Sequence, residues 1–343
     1  MNVTTFGIDL AKNVFQVHGA DARGKAVIRR QLKRDEVIGY FANQPPSLIG
    51  MEACGSAHHW ARELQQLGHT VKLMAPQFVK PYVKSNKNDR ADAQAICEAV
   101  GRPSMRFVPI KSVEQQSVLA LHRARQGFVK ERTAQGNQIR GLLAEFGVSM
   151  PVGIGQIARG IPRILGDADN GLPERFRALL ARLYEHFQHL HTQVIALERE
   201  IKAWHAQNAV SQRAAQVPGV GPITASALVA TVGNARDFAN ARQMAAWLGI
   251  VPKQHSTGGK PVLLGISKRG DSYLRTLLIH GARSAILAAQ RRGLAADTWL
   301  ARLLARHHPN VAAVALANKN ARILWALLAH ARDYQPGYAG LPH

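Results

Sequence analysis

Residues 6–12 read Phe6-Gly7-Ile8-Asp9-Leu10-Ala11-Lys12. Apolar Phe6, Ile8 and Leu10 alternate with Gly7 and Asp9, the period-2 signature of a half-buried strand. A glycine inside a strand marks a place where another backbone or a ligand comes close. A carboxylate in a buried strand is costly unless something offsets its charge. Phe15 and Val17 follow the turn at Ala11-Lys12-Asn13, Val27-Ile28 follows a second turn over 19–24, and Leu48-Ile49 and Val71-Lys72-Leu73 complete five strand candidates. Short turns join the first three, and helical segments near 34–43 and 56–67 separate the later two. An antiparallel meander feeding parallel β-α-β units is expected: an α/β mixed sheet with helices.

Acidic residues are scarce, so their positions carry information. Glu52 ends the strand Leu48-Ile49-Gly50-Met51, and Asn88-Asp89-Arg90-Ala91-Asp92-Ala93 places Asp89 and Asp92 at i, i+3 on one side of a helix's first turn. Each has a plainer reading: Asp89 as an N-cap, Asp92 as a charge favourable to the helix dipole, Glu52 as an exposed loop residue. Taken together, Asp9 on the first strand, Glu52 at the end of the fourth and Asp89 with Asp92 on a later helix match the order of an RNase H-like metal site. Phosphoryl transfer on nucleic acid needs charge neutralised on the attacking and leaving oxygens, which two Mg²⁺ ions about 4 Å apart supply. Hard oxygen ligands suit Mg²⁺, and crowded carboxylates repel unless divalent ions offset them. The pairs His58-His59 and His307-His308 read as surface or structural residues.

The 343 residues include 44 Lys plus Arg against 22 Asp plus Glu, a formal charge of +22, with 46 % apolar and 19 % charged residues. The basicity comes from missing acids, which excludes a disordered polycation. Such a charge implies a polyanionic partner, nucleic acid first. No membrane span is expected, because Asn318-Lys319-Asn320 and Arg322 break the longest apolar stretch short of the roughly 18 residues needed. Cys54 and Cys97 form no Cys-x-x-Cys pair, which argues against a disulfide framework and a zinc knuckle. The N-terminus enters the strand pattern without a charged-then-apolar leader, and a cytoplasmic protein is expected.

Three domains are expected at roughly 100–200 residues each or somewhat less: 1–112, 113–208 and 209–343. The middle one opens with a long basic helix from Val113 to Phe146, expected to be solvated and suited to a phosphate backbone, with Arg123, Arg125, Lys130, Arg132 and Arg140. After a Gly/Pro-containing connection, Phe176, Leu180, Leu183, Phe187, Leu190, Val194, Leu197, Ile201 and Trp204 alternate spacings of four and three, an a/d seam that predicts a coiled coil within or between protomers.

The last domain opens with Val217-Pro218-Gly219-Val220-Gly221, a helix-hairpin-helix-like turn whose glycines Gly219 and Gly221 would expose backbone N–H groups to a phosphate; a plain helical corner explains it equally. Downstream, His255-Ser256-Thr257-Gly258-Gly259-Lys260 and Gly265-Ile266-Ser267-Lys268-Arg269-Gly270-Asp271 put hydroxyls on a glycine-rich loop among Lys260, Lys268, Arg269 and Arg275. Such hydroxyls either make local turn hydrogen bonds while the cations hold phosphate, or one of them attacks a phosphodiester and keeps the strand as a phosphoserine. A serine is a weak nucleophile, so the second use needs a base or metal.

As a set these motifs resemble the DEDD transposases of the "one-ten" insertion-sequence family and its "eleven-eleven" subgroup, over nearly the whole chain. The resemblance implies a RuvC-like RNase H catalytic domain, a coiled-coil middle and a mostly α C-terminal transposase domain acting on donor and target double-stranded DNA. It further implies guidance by a noncoding bridge RNA, so that base pairing reads sequence while protein reads backbone and shape. Asp9, Glu52, Asp89 and Asp92 would bind Mg²⁺, and Ser256 would form the covalent intermediate. Thr257 is the alternative register, since some members place the serine directly before the glycine. A homo-oligomer, dimer to tetramer, would let the acids of one protomer work with the serine of another. The competing reading is a hydrolytic RuvC-like junction nuclease with no covalent intermediate.

Overall fold

The computed structural model describes residues 3–83 and 88–336. Positions 1–2, 84–87 and 337–343, at the ends of or within the expected domains, lie outside the described residues. The chain divides into two compact units, 1–113 and 114–343.

In the first unit the order is β1 (Thr5–Leu10), β2 (Val14–Ala20), β3 (Ala26–Lys33), α1 (Val37–Ala42), β4 (Leu48–Glu52), α2 (Ala57–Gln66), β5 (Thr70–Met74), α3 (Pro76–Val79), α4 (Asp89–Val100) and β6 (Phe107–Val108). The sheet runs β3-β2-β1-β4-β5-β6. β1, β2 and β3 form the antiparallel meander, β1 pairs with β4 and β4 with β5 in parallel, and β6 returns antiparallel. This is the mixed sheet expected, with β6 added; two residues are too few to leave a period in the sequence.

Alternation decides what each face meets. Phe6 and Ile8 of β1 point into a core with Phe15, Ile49, Met51, Phe41 of α1, and Trp60 and Leu64 of α2. Phe6 meets Phe41 edge-on at 5.2 Å and Phe15 meets Trp60 edge-on at 5.1 Å. On the opposite face the strands present glycine. A Cβ at Gly7 would collide with the Ala93 carbonyl oxygen and the Cys97 nitrogen of α4, and one at Gly50 would lie 2.7 Å from Val100 Cβ. The glycine beside Asp9 therefore admits another backbone, that of α4, which lies flat across β1 and β4.

The second unit contains α5 (Val113–Ala144, whose first residue belongs to the first unit), α6 (Ile154–Gly166), α7 (Glu174–Gln207), α8 (Ala209–Ala215), α9 (Pro222–Val232), α10 (Ala241–Trp247), β7 (Pro252–Gln254), β8 (Leu263–Ile266), α11 (Ser272–Arg291), α12 (Trp299–Arg306) and α13 (Pro309–His330). α5 and α7 run antiparallel: Trp204 Nε1 donates to Glu114 Oε1 at 2.8 Å, Arg125 Nε to Glu198 Oε1 at 2.9 Å, and Arg132 Nη1 meets His191 Nδ1 at 2.9 Å. The heptad positions Phe176, Leu180 and Phe187 are buried with Ile139 and Leu143 of α5 and Ile157 and Ile161 of α6. The apolar seam is thus covered within the chain at this end. The expected solvated basic helix is corrected in the same observation. Arg123 and Lys130 are exposed, but Arg125 and Arg132 turn toward α7, because Glu198 and His191 supply partners that the spacing within α5 does not reveal.

A second core gathers α8–α11 and α13 around Leu228, Met244, Leu248, Leu274, Leu278 and Leu324. By length and composition α13 is apolar enough to cross a membrane. It packs as a core helix instead: Ala317, Ala321 and Leu324 are fully buried, and the side chains of Asn318 and Asn320 donate to the carbonyls of Ile250 and Pro218.

Candidate active site

Strand register and helix packing bring the acids together. Ile8 pairs with Met51 across the parallel β1–β4 ladder, so Asp9 and Glu52 are the next residues on their strands, at the carboxyl ends where open α/β sheets bind ligands. Asp9 shares the parity of Gly7, and Glu52 that of Gly50, so both lie on the face covered by α4. α4 crosses Gly7 with Ala93 and Cys97 and Gly50 with Val100, which directs its first turn toward Asp9. Carboxylate oxygens of Asp9, Asp89 and Asp92 lie within 4.8 Å of one another, with Asp9 and Asp92 half-buried and Asp89 exposed.

Glu52 is outside this group of three yet acts on the same neighbourhood. Partial burial pushes the Cys54 thiol pKa up, and the charges of Glu52 and Asp9 push it further. The plainer reading of Asp89 as a cap is replaced by a neighbour: Asn88 is the N-cap, its side chain accepting from Ala91 N at 2.8 Å. The positive end of α4 offsets part of the repulsion. Three hard oxygen donors of like charge fit a divalent cation such as Mg²⁺, whose bonds of about 2.1 Å place ligand oxygens up to about 4 Å apart.

The hydroxyls sit on a two-stranded ribbon in the other unit. β7 and β8 are antiparallel, Thr257 bridges Lys260, and Gly258 and Gly259 between them have φ of +56° and +75°. Two successive positive φ values are what a type I′ hairpin turn requires and what glycine supplies without strain. The Ser256 Oγ accepts from Gln254 Nε2 at 2.8 Å and from the Val262 backbone N–H at 3.3 Å. Ser256, Thr257 and Lys260 are exposed, and so are Val262, Leu263 and Leu264.

The other expected phosphate contacts divide. Lys260, Lys268 and Arg269 are exposed on the ribbon and on the segment after it. Arg275 Nη1 donates to the carbonyls of Leu248 and Arg269, each at 3.2 Å, so this guanidinium ties that segment to the core. Gly219 lies in a helical corner between α8 and α9, where its added Cβ would come within 2.5 Å of the Gly281 carbonyl oxygen on α11. Its absent side chain is explained by that crossing. Gly221 is exposed at the start of α9.

Two features escaped the sequence. Gln254 carries no motif. His122 of α5 is buried, its Nδ1 3.0 Å from Tyr273 Oη and its Nε2 3.1 Å from Ser226 Oγ, and burial pulls its pKa down to about 4. Its partners lie more than 100 residues away, beyond any local spacing signal.

A mixed sheet ordered 3-2-1-4-5, with carboxylates at the ends of β1 and β4 and on a helix packed against them, defines an RNase H-like enzyme of the DEDD transposase class. Residues 6–147 match the DEDD transposase model of the IS110 type, and residues 211–296 match the model described as "Transposase IS116/IS110/IS902 family". The chain is 54 % identical to a probable family 20 transposase of Pseudomonas aeruginosa, over 98 % of this chain and all of the relative. It is 46 % identical to the transposase for insertion sequence element IS1111A of Coxiella burnetii, over 98 % of this chain and 92 % of that one. To the transposase for element IS1328 of Yersinia enterocolitica it is 45 % identical over 95 % and 97 %. The chain belongs to the IS110 family of transposases, enzymes that cut and rejoin DNA.

Proposed function

We propose that the chain is a Mg²⁺-dependent, bridge-RNA-guided recombinase that cuts and rejoins double-stranded donor and target DNA through a phosphoserine at Ser256. The observation that carries the catalytic part is the group Asp9, Asp89 and Asp92, with Glu52 on the adjacent strand end of the same face. These four carboxylates hold Mg²⁺, which when bound supplies charge neutralisation at the attacking and leaving oxygens. As the Ser256 Oγ–P bond forms, one P–O ester bond of the strand breaks; the serine proton passes to water and the released sugar oxygen ends as a hydroxyl. Attack by a hydroxyl of another strand reverses these steps, so no external energy source is needed to rejoin.

Ser256 is favoured over Thr257 because a primary hydroxyl is less hindered, and because its Oγ is the one met by two donors. Lys260, Lys268 and Arg269, with Gly221 at the start of α9, serve the phosphate backbone. The charge of +22 suits a protein that holds two duplexes and an RNA in the cytoplasm, as an oligomer. The domains divide this work as 1–112 for metal chemistry, 113–208 for assembly and nucleic-acid binding, and 209–343 for strand attachment.

The test is to incubate full-length protein, its co-purified RNA and Mg²⁺ with DNA carrying the ends of the encoding element, then denature. A protein–DNA adduct lost in Ser256→Ala and retained in Thr257→Ala is expected, together with one discrete RNA in the purified protein. Normal cutting without an adduct in both variants overturns the phosphoserine and leaves hydrolysis. Random cellular RNA overturns guidance.

A further inference from the structure

The ribbon that carries Ser256 is irregular where the serine sits, and the irregularity converges on its oxygen. The His255 N–H donates to the Val262 carbonyl at 2.9 Å, as a ladder pair should. Pro261 faces Ser256 between the 255/262 and 257/260 pairs, the non-hydrogen-bonded position at which its missing N–H costs the ladder nothing. The Val262 N–H turns to the Ser256 Oγ at 3.3 Å. Gln254, two residues earlier and so on the same face of the strand, reaches that oxygen with its side-chain Nε2 at 2.8 Å. Both contacts on the hydroxyl oxygen are donors.

Building on the assignment of Ser256 as nucleophile, we propose that Gln254, with the Val262 amide, stabilises the deprotonated Ser256 oxygen and so acts as a catalytic residue in strand attack. Donors aimed at an oxygen favour its charged form, and they leave the hydroxyl proton, which neither of them accepts, available to a base. The same logic operates in an oxyanion hole, here applied to the nucleophile instead of the electrophile. Neither donor is charged, so the arrangement raises the fraction of reactive oxygen without placing a cation where the phosphate must approach. Gln254 is exposed, so its replacement does not threaten the fold.

The experiment measures the single-turnover rate of adduct formation against pH, with full-length protein, co-purified RNA, Mg²⁺ and DNA carrying the element's ends. Gln254→Ala is expected to slow attack about 10- to 100-fold near neutral pH, the loss of one strong donor, with the inflection of the pH–rate profile moved to higher pH and DNA affinity unchanged. Gln254→Met, of similar size but without a donor, should be as slow as the alanine variant. If Ser256→Ala abolishes the adduct while Gln254→Ala keeps the wild-type rate and pH–rate profile, the donor role fails and the serine assignment stands. A Gln254→Met protein as fast as wild type also overturns the donor role, since a thioether gives the oxygen no hydrogen bond. If Ser256→Ala itself still forms the adduct, the serine assignment fails and the proposal with it.

Discussion

The carboxylates and the serine occupy opposite kinds of surroundings. Asp9, Glu52, Asp89 and Asp92 project from two central strands and a helix packed closely on the glycines Gly7 and Gly50 of those strands, so their spacing is fixed by the packing of the whole first unit. Ser256 rides an exposed two-stranded ribbon held by a glycine turn, and the groups that touch its oxygen lie within six residues of it. Metal-binding geometry needs tolerance of a fraction of an ångström, which regular elements supply better than loops. Under the proposed function, a serine that must reach a phosphate and later release it gains from a local, adjustable mount. The contrast predicts that damage to the acid site comes through fold-wide packing, and damage to the serine through its immediate neighbours.

The largest effect should come from the acids themselves. Asp9→Asn removes a charge, and on the proposed function a metal ligand, while keeping shape. If the metal contributes about 4 kcal/mol to the transition state, strand cleavage falls about a thousandfold. Thermal stability should stay level or rise without metal, because one of three mutually repelling charges is gone. Cleavage within tenfold of wild type, measured at saturating Mg²⁺, would remove this acid from the chemistry.

Next in size is Gly7→Ala, which probes the mount and not the ligand. The added methyl meets the Ala93 carbonyl and the Cys97 nitrogen, so α4 must lift from β1. A cost of about 3 kcal/mol in urea unfolding of the first unit is expected, with cleavage lost in parallel as Asp89 and Asp92 move away. Gly265→Ala on the ribbon, whose methyl would meet nothing within 4 Å, should change neither. If Gly7→Ala is equally silent, the acid site does not depend on that crossing.

Away from both sites, the second unit has a buried polar centre with a calculable pH response. Ser226 Oγ donates to the Pro222 carbonyl at 2.6 Å, so His122 Nε2–H donates to Ser226 and Nδ1 accepts from Tyr273, leaving the imidazole neutral. Burial, and then Arg125, pull its pKa from 6.5 to about 4. Between those values the unfolded chain binds more protons, so this contribution is complete above about pH 6.5 and shrinks toward pH 4, by at most about 3 kcal/mol. Unfolding midpoints at pH 7 and pH 4.5 should differ less in His122→Phe than in wild type. An unchanged difference would show that other groups set the acid sensitivity.

How much of this was legible depends on the range of the interaction. The alternation of Phe6, Ile8 and Leu10 and the i, i+3 spacing of Asp89 and Asp92 are local patterns, and they foretold the sheet and the acid-bearing helix turn. Gly7 signalled a close approach without saying whose backbone approached. The seam of α7 was equally local, but its cover came from α5, whose Arg125 and Arg132 look like solvated cations until Glu198 and His191 are set opposite them. His122, Tyr273 and Ser226 meet only in the folded chain. Gln254 was missed for a different reason: it is near Ser256 in sequence, but the turning of the Val262 N–H out of the 255/262 pair toward the same oxygen is a property of the paired strands.

The smallest thermodynamic effect is also the sharpest test of the contrast. Gly258 and Gly259 adopt φ of +56° and +75°, and neither has a neighbour within 4 Å of an added Cβ, so alanine there meets backbone strain alone. That strain is about 1 kcal/mol per residue and is confined to a turn whose loss exposes little apolar surface. Gly258→Ala should therefore leave the global unfolding midpoint within error of wild type while lowering adduct formation about tenfold, because the Ser256 oxygen is released from its donors. Gly258→Asn tests the cause. Asparagine tolerates positive φ and favours this turn before glycine, so activity should return toward wild type although the side chain is larger. A drop in the unfolding midpoint with Gly258→Ala would mean that the ribbon is part of the cooperative core. An asparagine variant as slow as the alanine one would mean that the turn needs open space and not conformation.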